Sequence, residues 1–139
     1  MAKYLFGGFS RCLYSLQKFQ SDAERLIAII LDRESTKWFK PAKGQFHLYY
    51  SLNKEPLEYQ PDFVAETPNT IYMLEPKASN QIDAEDVLAK KHAAVKWCQE
   101  ASKYNQQHNG KPWSYLLIPH NVIAENITLS GLVQKYKAE

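Results

Sequence analysis

Apolar and polar positions along this chain change period several times, and each change marks a predicted element. After Ser21, Ala23, Leu26, Ile27, Ile30 and Leu31 recur at helical spacing up to Arg33. Ser21 has the chemistry of an N-cap, and Glu24 falls at the capping-box position, so a first helix is predicted there. Gln45–Tyr50, Gln60–Glu66 and Thr70–Ala78 read as strands, the first two joined by an Asn53-Lys54-Glu55-Pro56 turn and the last two by Thr67-Pro68-Asn69-Thr70. From Asp83 to about Tyr104, Val87, Ala94, Trp97, Cys98 and Ala101 form one stripe, which predicts a second helix. Polar loop from Asn105 to Pro112, a fourth strand over Trp113–Pro119 and a short helix near Thr128–Tyr136 complete the prediction. The order is helix, three strands, helix, strand: an α/β domain.

Two of these strands carry charge where strands of a covered sheet should not. Asp62 stands in Tyr59-Gln60-Pro61-Asp62-Phe63-Val64, and Glu75 and Lys77 in Ile71-Tyr72-Met73-Leu74-Glu75-Pro76-Lys77. Pro and Asn suit the second and third positions of the intervening turn. A hairpin centred between Pro68 and Asn69 sets Asp62 directly opposite Glu75, with Lys77 on the same face. Because such a turn is not the favoured hairpin type, a slip of one or two residues is also compatible with the pattern. Val64, Met73 and Ile71 share the charged face, and Phe63, Leu74 and Tyr72 take the other, so both faces are expected to be covered. From spacing alone two readings stand: a solvated face with an incidental salt bridge, or a site where carboxylates converge on a divalent metal ion.

These residues resemble the PD-(D/E)xK nuclease motif, in Pro61-Asp62 followed by Glu75-Pro76-Lys77. The wider text is similar to the C-terminal endonuclease domain of the restriction subunit of type III restriction-modification enzymes. The likeness runs through Phe19-Gln20-Ser21-Asp22-Ala23-Glu24, Lys37-Trp38-Phe39-Lys40-Pro41, Tyr59 to Phe63, Lys90 with Ala94-Val95-Lys96-Trp97-Cys98, and Tyr115-Leu116-Leu117-Ile118-Pro119. It implies a three-layer, restriction-endonuclease-like core with a mixed central sheet over residues 19–119, flanked by extensions 1–18 and 120–139 in a single nuclease domain. The implied activity is Mg²⁺-dependent hydrolysis of DNA phosphodiesters, with Mn²⁺ able to substitute. The implied metal ligands are Asp62, Glu75 and the carbonyl of Pro76; the implied catalytic residues are Asp62, Glu75, Lys77 and Glu24, with Lys90 as an auxiliary. Glu24 also reads simply as the capping-box partner of Ser21, and Lys90 as a lysine that snorkels from the helix flank. Proline at 76 keeps the carbonyl but is expected to cost a ladder hydrogen bond, so that the strand ends or bulges there. A degenerate nuclease fold that binds nucleic acid or protein without cutting is the alternative.

Composition adds bounds. The 139 residues suit one domain with a single core, and 45% hydrophobic with 23% charged is ordinary for a globular chain. The longest apolar run, Leu26 to Leu31, is too short to span a membrane, and Arg11 interrupts the N-terminal apolar stretch, so a cytoplasmic location is expected. Cys12 and Cys98 match neither a zinc site nor a disulfide framework. A net charge of +2 and a pI near 8.4 are modest for a DNA-binding domain, so contact with double-stranded DNA should be local, weak and salt-sensitive. Lys37, Lys40 and Lys43 beside Trp38, and Lys90, Lys91 and Lys96, are candidate patches or solvated faces. Trp38 and Trp97 read as core, and His47, His92, His108 and His120 show no nuclease or zinc spacing. No P-loop is present, so the helicase motor, like the methyltransferase subunit that the resemblance implies as a partner, would be a separate element.

Overall fold

The computed structural model describes residues 4–7, 9–13, 16–19 and 21–138, the side chains of 4–7 and 16–18 excepted. In chain order the elements are β1 (Tyr4–Gly7), β2 (Leu16–Phe19), α1 (Asp22–Glu34), β3 (Lys37–Phe39), β4 (Tyr49–Leu52), β5 (Glu55–Glu58), β6 (Phe63–Glu66), β7 (Ile71–Lys77), α2 (Glu85–Gln107), β8 (Trp113–Pro119), α3 (Leu129–Tyr136) and β9 (Lys137–Ala138). A five-stranded sheet runs β3-β6-β7-β8-β9. Only β7 and β8 are parallel, joined by the α2 crossover, so the sheet is mixed. The chain is therefore α/β, with three α-helices around a mixed central sheet among the described residues.

Alternation along the strands divides the core in two. Phe63, Ala65, Leu74, Leu116 and Ile118 face one way and pack on Ile27, Ala28, Ile30 and Leu31 of α1 and on Leu129 and Leu132 of α3. Val64, Met73, Tyr115 and Leu117 face the other way and meet Val87, Ala94 and Cys98 of α2. Each large apolar side chain removed from water here contributes roughly 1.5–3 kcal/mol. The strands of the hairpin are covered on both faces, as their apolar composition requires. Ser21 caps α1 by accepting from the Glu24 N–H at 3.2 Å, and Thr128 caps α3 through the Gly131 N–H at 3.0 Å.

The hairpin register is the predicted one. The Thr67 N–H and hydroxyl both donate to Thr70 O, at 2.8 and 2.9 Å, and the Thr70 N–H donates back to the Thr67 hydroxyl at 3.2 Å, closing the turn; β6 pairs with β7 as Phe63↔Leu74 through Glu66↔Ile71. One step further out, Asp62 meets Glu75.

Three expectations need correction. Gln45–Tyr50 is not a strand of the central sheet: Phe46 and Leu48 are buried, but in irregular chain, and β4 begins only at Tyr49 and pairs with β5 in a separate exposed hairpin. Apolar alternation there reported burial, not strand pairing. The tight turn of that hairpin is centred on Asn53 and Lys54, both at positive φ (53° and 66°), and Pro56 lies within β5. The third sheet strand preceding α2 is instead β3, three residues long and too short to show a period. Its outer edge is covered by residues 11–13, through Trp38 N–H to Arg11 O at 2.9 Å and Leu13 N–H to Trp38 O at 3.0 Å. Trp38 is fully buried, as expected.

The last correction concerns Pro76. The Ile71 N–H donates to Pro112 O at 2.9 Å on the β8 side, and successive peptide groups alternate sides. Residues 72, 74 and 76 therefore turn their N–H and C=O toward β6, whose pairing has ended by residue 76. The missing N–H of Pro76 costs no ladder bond, and β7 runs unbroken to Lys77.

Candidate active site

Because β6 begins only at Phe63, the sheet is notched at one end, between the start of β6 and the end of β7. The first turn of α1 closes this notch from one side. A cavity of about 630 Å³ results, lined by Glu24, Lys40, Asp62, Glu75, Pro76, Lys77 and His120 among others. Asp62, Glu75, Lys77 and Glu24, singled out from the sequence on three separate segments, thus share one cavity. Lys90 stands behind it, with its Nζ 5.7 Å from the ring centre of Tyr59 and 5.5 Å from that of Tyr50.

The cavity is crowded with carboxylates. Glu24 and Glu75 are each only 7% exposed, and Asp62 is half-buried. Burial, then the charges of Glu75 and Glu24, push the Asp62 carboxyl up to about 8, against the pull of Lys40 and Lys77. Burial also raises Glu75, offset in part by a hydrogen bond from the Tyr59 hydroxyl, by the charges of Lys77 and Lys90, and by the Asp62 backbone N–H. Lys77 Nζ stands 3.8 Å from Glu75 Oε2. Lys40 Nζ lies 2.5 Å from Glu24 Oε1, between the rings of Phe19 and Phe63 at 5.3 and 5.2 Å. The Glu24 backbone N–H donates to the Ser21 cap, while its carboxylate faces the cavity and pairs with Lys40.

Sequence alone does not assign Lys40 and His120, which line the cavity, or Tyr59, which lies behind Glu75. In the sequence Lys40 stands with Lys37 and Lys43 as a candidate patch, but the structure splits that patch. Lys37 pairs with Glu66 at 3.9 Å, at the other end of β3, whereas Lys40 follows Phe39, which pairs with Val64, and so reaches Phe63 and the notch. His120 shows no nuclease or zinc spacing, yet it follows Pro119, the register partner of Lys77, and the β7–β8 pairing carries it to the cavity wall. Burial and the Lys77 charge lower its pKa. Tyr59, two residues before Pro61, donates to Glu75 Oε1 at 2.7 Å. Its nearness to the motif was the one available signal.

Among the described residues, no group of three or more His, Cys, Asp and Glu side chains stands ready to hold a metal ion. Asp62 and Glu75 are the side chains that could bind a cation here, alongside the Pro76 carbonyl on the notch side of β7. Trp97 packs edge-on to Phe46 and Trp113 rather than standing free for base stacking. No helix of the described residues is long and apolar enough to cross a membrane. No protein-family model matches this chain, and neither a curated protein nor a solved structure does.

Proposed function

We propose that this chain is a metal-dependent DNA endonuclease domain of the PD-(D/E)xK kind, resembling the cleavage module of a type III restriction subunit. The observation that carries the reading is the convergence of Asp62, Glu75, Lys77 and Glu24 in one partly enclosed cavity at the end of a mixed sheet. The order α1, β3, β6, β7, α2, β8, with β7 and β8 parallel, agrees with a restriction-endonuclease-like core.

The donor set fits Mg²⁺. The ion takes hard oxygen ligands, commonly one or two carboxylates with waters and substrate phosphate, and a cation offsets the burial and the neighbouring acids that otherwise keep a proton on Asp62. Asp62, Glu75 and the Pro76 carbonyl would hold it. When bound, Mg²⁺ lowers the pKa of water and offsets the charge that develops on the phosphate. Lys77, held beside Glu75, directs its ammonium group at the attacking water and at the phosphoryl oxygens as negative charge grows on them. Glu24 fixes Lys40, whose ammonium adds positive charge where the DNA backbone must enter. His120, its imidazole favoured in the neutral form, is placed to take up a proton at the cavity wall.

A specific observation favours a second reading. Lys40 pairs with Glu24, and Lys77 faces Glu75, so ammonium groups already offset part of the acidic charge without any ion. A nuclease fold that binds nucleic acid or protein without cutting would look the same. Cleavage of plasmid DNA separates the two. Asp62→Ala, Glu75→Ala and Lys77→Ala are each expected to reduce Mg²⁺-dependent cleavage at least ~100-fold with the circular dichroism of the fold retained. A folded Lys77→Ala protein that cuts as fast as the parent removes the catalytic assignment, and a parent that binds DNA but never cuts it in Mg²⁺ or Mn²⁺ leaves the binding module.

A further inference from the structure

Behind Glu75 lies a chain of hydrogen bonds that the proposed reaction does not itself require. The Tyr59 hydroxyl donates to Glu75 Oε1 at 2.7 Å, and the hydroxyls of Tyr59 and Tyr115 are 2.9 Å apart. A phenol has one proton to give. Tyr59 gives its proton to the carboxylate, so the second bond must run from Tyr115 to Tyr59, and the direction of the whole chain is set: Tyr115 to Tyr59 to Glu75. Both rings are buried, at 4% and 1% exposure, and both are anchored in the fold. The Tyr59 N–H donates to Leu48 O at 2.8 Å, and Tyr115 lies in β8, paired with Met73 of β7. Lys90 sits against the Tyr59 ring from α2. Glu75 Oε2 faces Lys77 on the cavity side. A carboxylate has about four acceptor directions, so the Tyr59 bond and the Asp62 backbone N–H leave Glu75 room for a cation.

We infer that Tyr59, backed by Tyr115, is a positioning residue for Glu75: it ties off Oε1 and fixes the side chain so that Oε2 alone is presented to a bound divalent cation. The inference rests on Asp62 and Glu75 being the cation ligands, as the proposed function has them. Without the Tyr59 hydroxyl, a buried carboxylate loses its strongest neutral donor and is free to turn. Outer partners of this kind typically govern metal affinity by 10–100-fold. Tyr59 lies behind Glu75 and does not line the cavity, so its loss should act through cation binding.

The test is Mn²⁺ titration by calorimetry of the parent, Tyr59→Phe and Tyr115→Phe, each also melted in chelator and assayed for DNA cleavage across Mg²⁺ concentrations. Tyr59→Phe keeps the ring and is expected to weaken Mn²⁺ binding ~10–100-fold, and to raise the Mg²⁺ concentration giving half-maximal cleavage by a similar factor. Tyr115→Phe, which leaves the Tyr59 hydroxyl in place, is expected to weaken Mn²⁺ binding by a smaller but measurable factor, about 2–10-fold. It also decides the matter if Tyr59→Phe does not fold: unaltered Mn²⁺ affinity in a folded Tyr115→Phe protein then overturns the relay. A Tyr59→Phe protein that melts lower but binds Mn²⁺ as tightly as the parent overturns the inference and leaves the nuclease reading intact. A weakened variant and a Mn²⁺-binding parent, neither of which cuts DNA, uphold the inference while the nuclease reading falls. A parent that binds no Mn²⁺ overturns both.

Discussion

Asp62 shows at the scale of one residue how a site can oppose stability. Burial and two neighbouring acids hold its carboxyl at about 8 against an ordinary 3.8, so the metal-free folded state keeps a proton that the unfolded chain has already lost. Between about pH 4 and pH 8 the folded state therefore binds more protons. The stability this group contributes is fully present below about pH 4 and is lost as the pH rises toward 8, by at most about 1.4 kcal/mol per pH unit. Burial of Glu75 acts with the same sign. Asp62→Asn, which cannot ionise, is expected to flatten this slope when denaturant midpoints are measured in chelator from pH 5 to 8. Parallel profiles for variant and parent would mean that Asp62 is ionised in the folded protein throughout.

Among the elements, the β4–β5 hairpin shows what a turn demands and this chain only half supplies. Its two central residues, Asn53 and Lys54, both lie at positive φ, the conformation of the tight two-residue turn that favours Asn followed by Gly. Asn tolerates it; lysine, with a Cβ against the following carbonyl, does not do so freely. Lys54→Gly is expected to stabilise the protein by about 0.5–1 kcal/mol, the relief of the left-handed conformation less the added freedom of glycine in the unfolded chain. A higher urea midpoint with unchanged slope would show it. A lower midpoint would mean that the Lys54 side chain contributes more than its backbone costs.

For the whole molecule, the cation site proposed at the notch implies a linkage between cation binding and folding. Only the folded chain brings Asp62, opposite the end of β7, to Glu75, so a cation bound there stabilises that state alone. With free Mn²⁺ at one hundred times its Kd, the gain is about 2.7 kcal/mol, or roughly 10 °C in Tm for a domain of this size. Glu75→Gln removes a buried acid whose burial is unfavourable to its charge and is expected to melt no lower than the parent in chelator, while responding much less to Mn²⁺. Melting curves with chelator and with several millimolar Mn²⁺ check both halves. Equal shifts in the two proteins would exclude Glu75 as a ligand.

Local chemistry determined a good part of this by itself. The Ser21 cap and the apolar stripe that follows set α1, and the Thr67 to Thr70 turn with its flanking alternation set the β6–β7 register, because caps, turns and side-chain period depend on residues close in sequence. That register was enough to bring Asp62, Glu75 and Lys77 to one face. What depended on residues far apart was decided only by the tertiary structure. Phe46 and Leu48 are as apolar as strand residues, yet whether their backbone joins the central sheet turns on which edge is free, and β3 already occupies the edge beside β6. His120 enters the cavity because β8 lies parallel to β7, and Lys40 because β3 pairs with β6, while Tyr59 reaches Glu75 from behind, beside Tyr115 of β8. Pro76 is tolerated because β6 ends where it does. Each is a fact of strand pairing across tens of residues, where the sequence carries no periodic trace.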